Sequence, residues 1–426
     1  MEMFKTIGKA WNIPDIRKKI VFTLLMLVVF RIGSNIPVPG INREILDEAF
    51  SGDSGLFELF DLFSGGAFSN LTIFALSITP YITASIVLQL LTIAIPALER
   101  MSKEGVEGRK KITRYTRYFT VVLAFVQAVG MTLGIFRQYL ISTDAFHIIT
   151  VIFVLSAGTA FLMWLGELIN EHGIGNGISL IIFGGIVARV PSAAINSISN
   201  VKSGTISFVN ICLFIAFAIL VIVVIIEIQQ GQRRIPVQYA KRVVGRKSYG
   251  GQASHIPIKV NQAGVIPVIF GMSLLQLPQT LVYFWPNSGF AEGVSKWLST
   301  NGAPGTYVYS ILYAILIIFF TYFYTSITFN PEEVSENMKS NGGFIPGIRP
   351  GKPTVEYLQK VMNRVTFTGA VFLAVIAVMP IVIGNFTAID FRFGGTSLLI
   401  AVGVALDTMK QLENQMVMRN YHGFLK

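Results

Sequence analysis

The sequence predicts an all-α integral membrane protein with ten transmembrane helices, and three observations lead there. First, 52% of the 426 residues are hydrophobic and only 13% are charged, with a mean hydropathy of +0.61, which is too apolar for an ordinary soluble domain. Second, apolar runs of about 20 residues, the length a helix needs to cross a bilayer, recur ten times. Third, Lys and Arg segregate. Drawing those runs as spans places 27 of the 34 basic residues on one side and six on the other, with Arg31 left inside the first span. Lys and Arg are retained on the cytoplasmic face during insertion, so both termini are predicted to be cytoplasmic.

In chain order, the first span covers 20–36. Arg17, Lys18 and Lys19 precede it as they would a signal peptide, but a small-x-small cleavage site is missing and further spans follow. It therefore reads as an uncleaved helix. The others are placed at 71–95, 118–137, 147–167, 177–193, 206–227, 264–284, 307–329, 365–388 and 393–412, the tenth with Asp407 and Lys410 intruding at its end. Residues 56–70, LFELFDLFSGGAFSN, are too short and too charged to span, since Glu58, Asp61 and a Ser64-Gly65-Gly66 break interrupt the large apolar residues. They read as a re-entrant helix on the external side, tolerable only inside a protein cavity, or as a loop packed on the external rim. Two cytoplasmic loops, about 228–262 and 330–364, are longer than a turn between helices needs, as befits surfaces that meet a partner. Five spans fall in each half, 1–203 and 204–426. If the halves share descent, that odd number inverts the second relative to the first and sets a site between them.

Enzymatic signatures are missing: there is no GxxxxGK[ST] loop and no HExxH, and His147, His172, His255 and His422 are dispersed. The reading is of a non-enzyme without cofactor or metal. Cys212 lies alone in an apolar run and reads as a small apolar residue. An ion-coupled carrier normally keeps an ionisable group near the bilayer midplane, whereas Glu167, Glu227 and Asp407 sit at span ends. A carrier is weakened by this but stays open. The net charge of +11 is partly topology, because basic loops face anionic lipid heads. From Gly231 to Lys259, Arg233, Arg234, Lys241, Arg242, Arg246, Lys247 and Lys259 meet no acidic residue. Topology and lipid attraction account for that loop on sequence alone. Ile82 and Ile86 share one helix face, as do Ile182 and Ile186. On spacing alone such pairs read as lipid-facing or core.

Several long motifs carry more. The segments IFALSITPYITASIVLQLLT (73–92) and FLMWLGELINEHGIGNGISLIIFGGIV (161–187) resemble the two most distinctive stretches of the SecY family, the central channel subunits of protein-conducting translocons. The resemblance continues through FSGGAFS at 63–69, KEGVEGRKKITRYTRY at 103–118, QGQRRIPVQYAKR at 230–242, KVNQAGVIP at 259–267, FNPEEVSENMKSNGGFIPGIRPG at 329–351 and FGGTSLLI at 393–400. Thr79 stands where the family pattern has Met.

The resemblance implies two inverted, pseudo-symmetric halves of five helices that open like a clamshell around a central hourglass pore. Motif by motif, the narrow ring falls on Ile82, Ile86, Ile182, Ile186, Ile269 and Ile400. Segment 56–70 becomes a plug outside the ring, with Phe63, Gly65, Gly66 and Phe68 near its tip. A lateral gate is implied between the second and third helices and the seventh and eighth, where Gln127, Ser273 and Gln276 are either gate hydrogen-bonders or ordinary interhelical contacts. Arg349, in GFIPGIRPG, matches the position used for coupling to a motor, while the basic loop becomes an extended finger that docks partners. Implied partners are SecE, SecG, the SecA motor ATPase, the ribosome through its rRNA, unfolded preproteins and anionic lipids. The implied task is to pass unfolded secretory polypeptides across the cytoplasmic membrane, or membrane segments sideways into lipid. An aliphatic throat suits it, because Ile offers no hydrogen bond to grip a particular sequence and a narrow apolar constriction resists wetting.

Overall fold

The computed structural model describes residues 8, 10–41, 64–134, 136–142, 144–204, 208–239, 242–244, 247–249, 253–282, 284–285, 288–298, 304–386 and 395–423. Each predicted span is overlaid by a helix. In order these are α1 (Pro14–Gly33), α2 (Thr79–Ala94), α4 (Val106–Gly134), α5 (Ala145–His172), α6 (Gly177–Lys202), α7 (Phe208–Gln230), α8 (Ile266–Val282), α10 (Gly305–Thr328), α12 (Lys352–Phe386) and α13 (Gly395–Gly423). Shorter helices α3 (Pro96–Lys103), α9 (Gly289–Trp297) and α11 (Pro331–Ser340) lie between them. Among the described residues, α4, α5, α6, α7, α10 and α12 are each long and apolar enough to cross a membrane. Joining α2 to α3 makes a seventh such unit, bent by 100°. The bend has a local cause. Ile95 precedes Pro96 and is extended (φ −108°, ψ 112°), as steric clash with a following proline ring demands.

Two expectations are corrected here. The second span was placed from 71, but residues 71–78 form turns in which Leu71 and Ser77 take positive φ (45° and 53°), and the helix starts only at Thr79–Pro80. Proline at a helix's first positions loses no intrahelical bond, so the start falls there although the preceding residues are equally apolar. The second correction concerns 330–364, which is not an open loop. Asn330 caps α11 by accepting from the Glu332 amide at 3.1 Å, Pro331 follows as a first helical residue, and α12 begins at Lys352, well before its apolar run.

Loop 228–262 folds outside the bundle as a ribbon. Strands β1 (Gln232–Tyr239) and β4 (Ala253–Lys259) pair antiparallel from Gln232↔Lys259 to Gln238↔Ala253. The short β2 (Arg242–Val244) and β3 (Lys247–Tyr249) pair with each other, and β5 (Gly343–Phe344) adds to the other edge of β1. Strand alternation directs Ile235 and Val237 into a small core with Ile258, Met338, Ile345 and Leu358, which fixes the ribbon to α11 and α12. The segment between the ribbon and α8 rests on glycines. Any Cβ at Gly369 of α12 would collide with the Val260 carbonyl, and one at Gly403 of α13 with the Val265 side chain.

The main core lies at the centre of the bundle and draws residues from α1, α2, α5, α6, α7, α8, α10, α12 and α13. A second, beside it, gathers Val38, Phe68, Leu71, Met131, Phe136, Val151 and Leu155.

Candidate functional site: a central apolar constriction

Four helices donate one aliphatic cluster. Ile82 and Ile86 come from α2, Ile182 and Ile186 from α6, Ile269 from the first turn of α8 and Ile400 from the second turn of α13. All six belong to the central core and none is more than 6% exposed. Sequence positions more than 300 apart thus share one buried core, on helices such as α6 whose start has a local cause. Asn176, for instance, caps α6 by accepting from the amides of Ile178 and Ser179.

The described end of the re-entrant segment reaches this cluster. Residues 64–70 are turns rather than helix beyond Ser64, with Gly65 at φ 65° and Gly66 at φ 93°, and the Ser64 hydroxyl accepts from the Phe68 amide at 3.0 Å. Gly65 lies directly on α6: a Cβ there would stand 2.6 Å from the Cα of Gly185, the residue just before Ile186. Only glycine satisfies both the left-handed backbone and that approach. Phe68 is fully buried in the second core, its ring centroid 5.8 Å from that of Phe136. Phe63 and the rest of 56–63 lie outside the described residues.

Helices from residues 1–203 pack on helices from residues 204–426 at two seams among the described residues. At one, α13 packs on α1 and α6. Polar bonds tie it: the Lys19 ammonium donates to Gln415 Oε1 at 3.4 Å and the Gly175 amide to Gln411 Oε1 at 3.1 Å. The other seam sets α8 against α2 and α4. Gln127 of α4 and Ser273 and Gln276 of α8 are buried on these helices. Among the described residues, the Ser273 hydroxyl, both amide atoms of Gln276 and the Thr83 hydroxyl of α2 find no partner. Buried polar groups left unpaired cost free energy in the arrangement that buries them.

Around the ribbon, Arg233 and Arg234 are exposed on β1, and Arg349 is exposed in the turn that leads into α12. The Thr354 hydroxyl donates to the Arg349 carbonyl at 2.9 Å, and Gly347 (φ 82°) and Gly351 (φ 102°) shape the turn. Arg242 and Lys247 begin β2 and β3, which places them near the far end of the ribbon by backbone alone. Lys241 and Arg246 lie outside the described residues.

Three features escaped the sequence reading. Glu167, weighed as a coupling carboxylate, is paired with Arg117 at 2.6 Å, joining α5 to α4. Arg31, set aside as a leftover charge, donates to the Gly65 carbonyl at 3.1 Å. Gly185 is the third. The signal for the first two was a charge next to or inside an apolar run, and for Gly185 a glycine pair within a helix.

The sequence model described as SecY matches residues 72–409. The chain belongs to the SecY family. It is similar over its whole length to the protein translocase subunit SecY of Streptomyces galbus (47% identical, all of both chains) and to that of Halalkalibacterium halodurans (49%, all of both chains). Among solved structures it resembles one described as a protein-conducting channel, at 21% identity with a TM-score of 0.68, covering 94% of this chain and 93% of that one. It also resembles Sec61 from a canine ribosome–channel complex of the endoplasmic reticulum, at 20% identity with a TM-score of 0.63, covering 94% and 93%. The fold is that of a SecY channel, and the chain is a multi-pass membrane protein and a channel subunit rather than an enzyme.

Proposed function

We propose that the six isoleucines form the constriction of a protein-conducting channel through which unfolded secretory polypeptides cross the cytoplasmic membrane. The observation that carries this reading is the convergence of Ile82, Ile86, Ile182, Ile186, Ile269 and Ile400 from four helices into one nearly solvent-free cluster. All ten helices over the predicted spans cross the bilayer, five in 1–203 and five, inverted, in 204–426. Both termini and the ribbon face the cytoplasm, in keeping with the distribution of Lys and Arg.

Around the constriction the parts divide the work. The Gly65–Gly66 turn and Phe68 belong to a plug that closes the external side. The α2/α4–α8 seam is the lateral gate, with Gln127, Ser273 and Gln276 in it. A membrane segment entering from the pore parts this seam and passes to lipid, while the bonded seam against α13 serves as the hinge. Arg233, Arg234, Lys241, Arg242, Arg246 and Lys247 dock cytoplasmic partners: phosphates of ribosomal RNA on one hand, acidic surface of the SecA motor and anionic lipid heads on the other. Arg349 couples to the motor. The channel hydrolyses nothing itself, so a motor or a translating ribosome supplies the drive, and SecE and SecG complete the complex.

The test is import. The full chain, reconstituted into vesicles with SecE and SecG, is expected to protect a signal-bearing preprotein from protease when SecA and ATP are added. Failure with SecA and with translating ribosomes alike would overturn the assignment.

A further inference from the structure

We propose that Arg31 is the positioning residue that holds the Gly65–Gly66 turn against α6 and so keeps the channel shut at rest; this rests on the plug reading above. Arg31 lies in the last turn of α1, within a predicted span, where a charged side chain is costly and persists only with a task. Its guanidinium Nη1 donates to the Gly65 carbonyl at 3.1 Å. Among the described residues no carboxylate pairs with it.

The bond is placed where it acts on the seal. Gly65 is pressed from one side by Arg31 of α1 and rests on the other against the backbone of Gly185, which precedes Ile186 of the constriction. Helix α6 in turn packs on α1, where Gly184 adjoins Leu27 and Phe30. The turn is thus clamped between two helices of the same half, with Arg31 supplying the side-chain hydrogen bond from α1. Arg31 is exposed and the bond itself is half-buried; being charge-assisted, it is still stronger than a neutral one. It is also easily traded for water once an entering polypeptide wets the external side. A permanent apolar lock would lack that reversibility.

The experiment uses the complete chain with its small subunits in vesicles. In a Cys212→Ala background, Ser69→Cys reports the turn through its reaction rate with a membrane-impermeant maleimide, and halide influx reports the seal. Arg31→Gln is expected to raise both, labelling by about tenfold, the shift produced when a hydrogen bond to a charged group is removed. Arg31→Lys keeps the charge as a single point donor and should fall between. Gly65→Ala attacks the same contact from the other side, so the double variant with Arg31→Gln should rise no further than the larger single effect. Ile400→Asn is the control for the constriction. Should it leak while Arg31→Gln labels at the parent rate, the clamp is wrong and the channel reading survives. Strictly additive effects of Arg31→Gln and Gly65→Ala would also overturn the clamp. If neither Ile400→Asn nor Arg31→Gln leaks, the channel reading falls and takes the clamp with it.

Discussion

At the scale of single residues, the constriction is a statement about side-chain chemistry. Ile400 is fully buried in the central cluster, so an amide placed there has no partner prepared for it. An unpaired buried polar group costs roughly 1–3 kcal/mol, which shifts the balance toward a wetted throat by about tenfold or more. Ile400→Asn should therefore raise resting halide flux by about that factor in a dye-quenching assay on vesicles, while Ile400→Val, which removes one methylene, should stay near the parent. The identities of these six residues were legible in the sequence only through long motifs, because an Ile pair at helical spacing looks the same whether it faces lipid, core or a pore. The Arg31–Gly65 bond was legible only as a charge out of place. Hydrogen bonds to a backbone carbonyl leave no trace in the acceptor's identity, and only the misplaced charge pointed to it.

Among the elements, the ribbon separates a structural face from a binding face. Val237 is buried against the α11–α12 platform, whereas Arg233 and Arg234 are exposed nearer its foot. Val237→Asp puts a carboxylate into that small core and should open the ribbon to trypsin while leaving the basic side chains in place. Replacing both Arg233 and Arg234 with Ala should leave the ribbon protected but weaken ribosome binding. The slope of log affinity against log salt should flatten by about one for each phosphate no longer neutralised. Helices in the bilayer were easy to place from sequence because hydrocarbon permits few other structures. Their ends were harder. Residues 73–76 are as apolar as the helix that follows, and only Pro80 marks the true start. For α11 the sequence did carry local signals, since Asn330-Pro331-Glu332-Glu333 supplies a cap, a first-position proline and first-turn acids within a stretch too polar to span.

For the whole molecule, the lateral-gate reading proposed above makes the direction of opening follow from how the two seams are bonded. Parting α8 from α2 and α4 releases Gln276, Ser273 and Thr83 to find partners, whereas parting α13 from α1 and α6 breaks the bonds at Gln411 and Gln415. Gln276→Leu removes two unpaired atoms from the closed form and should favour it by about 1–3 kcal/mol. The visible result would be slower import of preproteins with weakly apolar signals, with strongly apolar signals less affected, measured as initial rates of protease protection. The unequal seams themselves lay beyond sequence reading, because partner choice among buried glutamines is decided by packing. One further feature works at this scale. Since the segment that joins the ribbon to α8 sits in the notches of Gly369 and Gly403, and Gly403 follows Ile400 by less than one helical turn, that segment resembles a tiller seated in the hull. On the channel reading, a push on the ribbon would reach the throat through those two notches.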